Sequence, residues 1–283
     1  MRVIRSLFRA LVTLAIIAGV AFAGYAFWRG AGPLPDPERC TASVDGHIVG
    51  LDPDQGELAS LIAAIGVRRD LPARAVSIAL ATAYQESKIR NLDHGDRDSV
   101  GIFQQRPSQG WGNERQLQDP HYSTNAFYDA LEKVHGYQDM RITEAAQKVQ
   151  RSGFPEAYED HAPDARALAS ALTGYSAPEL FTCVVHKSQD RGTRAQVVKE
   201  LTAAYGDLPV ANRARQDFSI TIGKGAAAQR RGWSLAQFLV GHARRLHIQA
   251  VSFDGRRWDA GKRSEKGWTR EPNAGSEVVV SLG

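Results

Sequence analysis

The chain has 283 residues, 43% hydrophobic and 23% charged, with a formal net charge of +4. That is an ordinary globular composition with room for one large or two small domains, and it excludes a disordered or collagen-like chain. The mild basicity suits an anionic partner such as a cell-wall polymer, a lipid headgroup or a nucleic acid, or simply an Arg-rich soluble surface. With no run of five like charges and no recognisable nucleic-acid module, no nucleic-acid partner is expected.

The N-terminus carries Arg2, Arg5 and Arg9 ahead of an apolar run from Ala10 to Trp28. Such a run is long enough to span a bilayer core as a helix. Positive charge ahead of it predicts an N-terminus inside and the bulk outside, with Tyr25 and Trp28 at the outer interface. The rival is a cleaved signal peptide, because Ala21-Phe22-Ala23 has the A-x-A form. The apolar run continues past Ala23, which favours an uncleaved anchor over residues 1–29. A Pro/Gly linker over 30–39, with Pro33, Pro35 and Pro37, detaches this segment from the rest of the chain.

Cys40 and Cys183 are the two cysteines, about 140 residues apart. In an exported chain they most simply form one disulfide tying together the ends of a domain; two buried free thiols are the alternative. The 41–50 stretch alternates weakly, as a strand does. Apolar residues Leu58, Leu61, Ile62 and Ile65 then recur at helical spacing. Pro72 restarts the chain, and Val76 to Tyr84 is apolar almost all round, as in a buried helix. Residues 91–98 and 110–113 read as loops. Helices are expected over 122–134, 142–150 and 164–173, the last stopping at Gly174, with a short helical stretch opening at Phe154-Pro155-Glu156.

Beyond His186 the character changes. A helix over 193–205, a polar linker over 207–215, a strand at 218–222, a helix over 233–246 and strands at 248–253 and 278–282 predict a small α+β unit. Asp254-Gly255 reads as a hairpin turn. Trp233 and Phe238 read as core, and His242 and His247 as structural. Trp258 and Trp268 flank a Lys/Arg-rich loop and are candidates to touch a glycan or another protein.

Glu86 ends the buried helix and precedes a polar loop. A carboxyl emerging from an apolar wall is held neutral by desolvation and can protonate a glycosidic oxygen. Gln85, Ser87 and Gln104 are uncharged groups able to orient a substrate. A lone Glu at a helix end is otherwise ordinary solvated surface. Within the loop, Asp93, Asp96 and Asp98 are candidates for a second carboxylate or for a polar loop only. Asp96, Asp98 and Gly101 fit positions 1, 3 and 6 of a calcium loop. Val100 and Pro107 stand where oxygen ligands are required, so neither a metal site nor a cofactor is expected. Trp111, between glycines, is either a stacking platform for a sugar or a lid on the core.

Glu86-Ser87 and Gly101-Ile102-Phe103-Gln104 with Pro107 resemble two motifs of the lysozyme-like superfamily, especially soluble lytic transglycosylases. The longer stretch from Tyr84 to Gly112, with Asp119–Leu131 and Ala145–His161, resembles a lysozyme-like domain of actinobacterial exported proteins. The resemblance covers about half the chain. It implies a mainly α, lysozyme-like domain over 40–186, followed by a small α+β domain over 193–283. It implies Glu86 as general acid and then base, with attack by the sugar's own hydroxyl and no second catalytic carboxylate. Ser87, Gln104, Gln105, Trp111, Gln150 and Tyr158 are the candidate substrate-binding residues. The family's third motif, Ala-Tyr-Asn, matches Lys148-Val149-Gln150, where Val149 replaces the tyrosine; Tyr158 or Tyr175 is then expected to supply the phenol. The function implied is a membrane-anchored, extracytoplasmic enzyme cleaving peptidoglycan glycan strands. The alternative is a non-catalytic wall-binding or scaffold protein retaining the fold.

Overall fold

The computed structural model describes residues 2–29, 36–176 and 180–283. About half of the chain is helical, and its strands form one three-stranded and one six-stranded sheet. Two compact units divide at Pro37. The first contains α1 (Arg2–Trp28), whose stretch Phe8–Trp28 spans 21 residues with a mean hydropathy of 2.1. By length and composition this stretch is able to cross a membrane, a test that a signal sequence also meets. The expected Pro/Gly linker falls largely on residues 30–35, outside the described residues.

The second unit, Glu38–Gly283, opens with a hairpin of β1 (Arg39–Val44) and β2 (His47–Leu51). Then come α2 (Pro53–Arg68), α3 (Ala73–Ser87), the short α4 (Glu114–Leu117), α5 (Pro120–Leu131), α6 (Ile142–Gln150), a 3-10 turn at Ala157–His161, α7 (Ala162–Leu172) and β3 (Phe181–Val184). α3 is the hub. Its Ala, Val, Ile and Leu side chains from Ala75 to Ala83 are buried. α2, α5, α6, α7 and the Ala157–His161 turn all pack against it. A helix so enclosed has only its ends to offer to solvent, and Glu86 lies at the C-terminal one.

The 40–186 region is not helical throughout. β1 pairs antiparallel with both β2 and β3, and Cys40 lies directly opposite Cys183 on the β1–β3 ladder. The two are joined by a disulfide. That bond points to an extracytoplasmic location for this unit.

The remainder runs α8 (Arg194–Tyr205), β4 (Val210–Asn212), β5 (Phe218–Thr221), α9 (Ala226–Gly241), α10 (Ala243–Leu246), β6 (Ala250–Phe253), β7 (Arg256–Asp259), β8 (Thr269–Arg270) and β9 (Glu277–Ser281). Its strands are ordered β4-β5-β9-β6-β7-β8, every neighbour antiparallel. The polar stretch expected to be a linker contains β4, because an edge strand needs no apolar alternation to pair with β5. The helix expected from Trp233 begins at Ala226, where three alanines carry no apolar stripe to announce it.

The change of character near residue 190 is a change of secondary structure and not a gap in the core. α9 packs on α2 as well as on β6 and β9. A Cβ on Gly241 would lie 2.7 Å from Ser60 Oγ and 3.2 Å from Gly56 O, so glycine lets α9 approach α2 closely here. Beside this crossing, His242 is buried, its ring stacked on Phe238 with centroids 3.8 Å apart, and burial pushes its pKa down to about 3. Trp258 and Trp268, expected as candidate contact residues, are buried instead. Their indole N–H groups donate to the carbonyls of Cys183 and Phe181, each at 2.9 Å. Among the described residues no strand covers the edge of β3 on which these carbonyls lie, so the two indoles fasten the six-stranded sheet to the disulfide strand.

Closing so long a loop removes much entropy from the unfolded chain. Peptide mapping without reduction is expected to link Cys40 to Cys183, and Cys40→Ser/Cys183→Ser is expected to lose about 2–5 kcal/mol in denaturant unfolding. Two alkylatable thiols in the mature protein would contradict the bond.

Candidate functional site

α3 ends abruptly. Lys88 and Ile89 both take left-handed backbone conformations, with φ of 55° and 54°. Such a conformation costs a non-glycine residue about 1–2 kcal/mol, and a β-branched residue adopts it rarely. The surroundings impose it. Ile89 N–H closes the helix on Ala83 O at 2.9 Å, and the Ile89 side chain is fully buried. Gln55 of α2 donates to Lys88 O at 2.7 Å. No glycine marks this stop, so the sequence does not announce how sharply the chain leaves Glu86.

Ser87, placed by the resemblance among the substrate-binding residues, serves another purpose. It is buried, its hydroxyl donates to Ile102 O at 2.6 Å, and its oxygen accepts Arg90 N–H at 3.1 Å. It ties the helix end to the Gly101–Gln104 turn. Gly101 sits at φ 80°, and a Cβ there would lie 2.4 Å from Leu117 O, so the turn requires glycine twice over. Gln104 also departs from expectation. At φ 47° it folds back on its own loop, its amide N–H donating to Gly101 O at 3.1 Å and His94 O at 3.3 Å. Gln105 is buried and donates to Ser123 O at 3.4 Å, which removes it from any substrate surface.

The partners of Glu86 come from the other side. Tyr158, in the Ala157–His161 turn, is fully buried and donates its hydroxyl to Glu86 Oε1 at 2.6 Å. Gln150, the last residue of α6, donates to Phe103 O at 2.7 Å, and its amide is near enough to the Glu86 carboxyl to favour the anion. Burial raises the Glu86 pKa above the ordinary glutamate value, and the Tyr158 bond and the nearby Gln150 amide oppose the rise without cancelling it. Tyr158 is pushed well above the usual phenol range, first by burial and then by the neighbouring Glu86 charge, so it stays a donor.

Of the two tyrosines expected to supply a phenol, Tyr158 is the one that reaches Glu86. Val149 is a buried α6 side chain, and the chain after it is folded back so that the next turn delivers the phenol. Arg151, at φ 53°, ends α6. Gln147 holds Ser152 O at 2.8 Å, Thr143 holds Pro155 O, and Arg141 pairs with Glu156 at 2.9 Å. Tyr175, the other candidate, is exposed and lies under the Arg230 guanidinium, 5.0 Å from its ring centroid.

The loop aspartates are engaged elsewhere. Asp98 accepts Arg106 Nε at 2.7 Å, Ser108 N at 2.8 Å and Ser108 Oγ at 3.0 Å, which holds its carboxyl well below the usual range. Asp93 is exposed and pairs with the adjacent His94, and Asp96 is exposed too. Among the described residues, none of the three is bonded to Glu86 or Tyr158. On the other flank of Glu86, His161 stacks on Tyr84 with ring centroids 4.8 Å apart and meets Gln85 Oε1 at 3.0 Å. The sequence gives His161 no periodic signal, and only its place beside Tyr158 suggests it.

Gln150 also lines a cleft of about 620 Å³ between α5, α6 and the loop carrying Trp111. Trp111 is half-buried; it packs against the core and lines this cleft. A protonated carboxyl beside a phenol and an amide can donate a proton to a leaving oxygen and take one back. In comparisons with known proteins, the chain matches no family model and no curated sequence.

A raised carboxyl pKa has a thermodynamic consequence. The folded state holds the Glu86 proton more tightly than the unfolded chain, so this group's contribution to stability is lost as pH rises from about 4.5 through the folded midpoint. Glu86→Gln is therefore expected to be more stable than the parent at pH 8, with the difference shrinking as pH falls toward 4, measured by denaturant unfolding at both pH values. A variant less stable at pH 8 than at pH 4, relative to the parent, would contradict this.

Proposed function

We propose that this chain is a membrane-anchored, extracytoplasmic enzyme of lysozyme-like fold that cleaves peptidoglycan glycan strands as a lytic transglycosylase. The observation that carries the reading is Tyr158 donating to a Glu86 carboxyl that burial holds toward its neutral form. The apolar α1 and the disulfide support a single-pass anchor with the bulk outside the cytoplasm.

In this reaction Glu86 gives its proton to the glycosidic oxygen as the bond to the anomeric carbon breaks. The carboxylate so formed takes the proton from a hydroxyl of the same sugar, whose oxygen closes on the anomeric carbon. Proton and electron pairs balance within the substrate and Glu86, and the product ends in an anhydro sugar. A hydrolase route needs a second carboxylate across the bond. The engagement of Asp98 with Arg106 and Ser108 favours the route that dispenses with one. A second reading, a non-catalytic wall-binding protein, is favoured by the inward folding of Gln104 and Ser87, which leaves both motif residues in structural roles.

The full-length chain in detergent, incubated with purified peptidoglycan, is expected to release muropeptides with anhydro ends, read by mass spectrometry. Glu86→Gln is expected to lower release by about 100-fold or more, the usual worth of a general acid. Tyr158→Phe is expected to lower it by about tenfold, the worth of one hydrogen bond to a charged group. Reducing ends would replace the transglycosylase by a hydrolase, and equal release by parent and Glu86→Gln would overturn the catalytic role.

A further inference from the structure

The cleft beside Gln150 carries a charge pattern that glycan cleavage alone does not require. Its walls include Val149 and Trp111, and its polar lining includes Lys133, Lys148 and Arg151, with no Asp or Glu. Three formal positive charges thus line about 620 Å³ of space, and no acidic residue is among its lining. All three are exposed, and among the described residues none forms an ion pair, whereas Arg69, Arg90, Arg106, Arg141 and Arg245 each do. Lys148 and Arg151 lie at the C-terminal end of α6, where the helix dipole favours cations. That accounts for two of them. It does not account for Lys133, which reaches the same cleft from just beyond α5.

We infer that this cleft binds a carboxylate-bearing glycan, with the indole of Trp111 facing sugar and Lys133, Lys148 and Arg151 meeting acidic substituents. The inference rests on the proposed glycan cleavage for the kind of polymer and adds the charge it must carry. Gln150 connects the two places, since it lines the cleft and holds the carbonyl of Phe103, in the turn packed against the α3 end that carries Glu86. Val149 leaves an apolar wall in the cleft, while the phenol that meets Glu86 comes from Tyr158. The cleft therefore prefers strands whose peptide stems retain free carboxylates over neutral strands of the same sugars.

The test uses the full-length Glu86→Gln chain in detergent, so that the probe is bound and not cleaved, with affinity read by calorimetry. The probes are a neutral N-acetylglucosamine oligomer, a glycan fragment with carboxylate-bearing peptide stems, the same fragment with its carboxylates amidated, and a glycerol phosphate oligomer. The acidic fragment is expected to bind roughly tenfold tighter than the amidated and neutral ones, as a few solvent-exposed ion pairs allow. That advantage is expected to shrink with added salt. It is expected to vanish in Lys133→Gln/Lys148→Gln/Arg151→Gln on the same background. Salt dependence in the chain with its three cations intact provides the same reading should the triple variant misfold. Equal affinity for acidic and amidated fragments overturns the proposal, as does tight binding of the glycerol phosphate oligomer alone. Cleavage that depends on Glu86 without any charge preference overturns the cleft assignment and leaves the enzymatic reading standing. Charge preference in a wild-type chain that releases no muropeptide supports the cleft and removes the enzyme.

Discussion

The hydrogen bond from Tyr158 to Glu86 joins two opposed effects on one carboxyl. Burial at the end of α3 favours the neutral acid, while the phenol and the Gln150 amide favour the anion. An acid that must both give and regain a proton needs neither form to be prohibitively costly. Removing burial leaves an ordinary surface glutamate. Removing the two donors leaves a carboxyl that resists ionisation.

The rest of the unit fixes that balance by holding the ends of chain segments. α3 is enclosed, so its C-terminus is located by five packed elements and not by its own sequence. Lys88 and Ile89 then turn the chain away in strained backbone, held by Gln55 and by the burial of Ile89. Ser87 and Gly101 hold the following turn against the helix end, and Phe103 of that turn receives the Gln150 amide through its carbonyl. The second sheet contributes at a distance. Trp258 and Trp268 bond the edge of β3, and the disulfide passes that constraint to β1.

Much of this is legible in the sequence where the signal is local. The apolar run of α3, the α6 boundaries, the N-terminal apolar helix and the Cys40–Cys183 pairing follow from periodicity, length and composition. The strand character of 41–50 is faint because the inward positions of β1 carry the small Cys40 and Ala42, which contrast little with the Thr41 and Ser43 between them. Trp258 and Trp268 misled as surface candidates because a tryptophan beside basic residues looks exposed, whereas each N–H has a buried carbonyl to meet. Gln104 and Gln105 illustrate the same limit. Both are polar and lie next to the motif, yet a left-handed backbone at Gln104 turns its amide into the loop and buries the next residue. Tyr158 was among the candidates, but only the folded-back segment from Arg151 to Glu156 shows how it reaches Glu86.

The Tyr158–Glu86 bond and the burial around it act on the protonation of one carboxyl, which titration reads without an intermediary. Carbon-13 NMR of the side-chain carboxyls, with Glu86→Gln identifying the resonance, follows Glu86 in the full-length chain. The account predicts a midpoint above 4.5 in the wild type and a further rise in Tyr158→Phe, because the lost hydrogen bond favours the anion. A midpoint at or below 4.5, or one that Tyr158→Phe leaves in place, would contradict it.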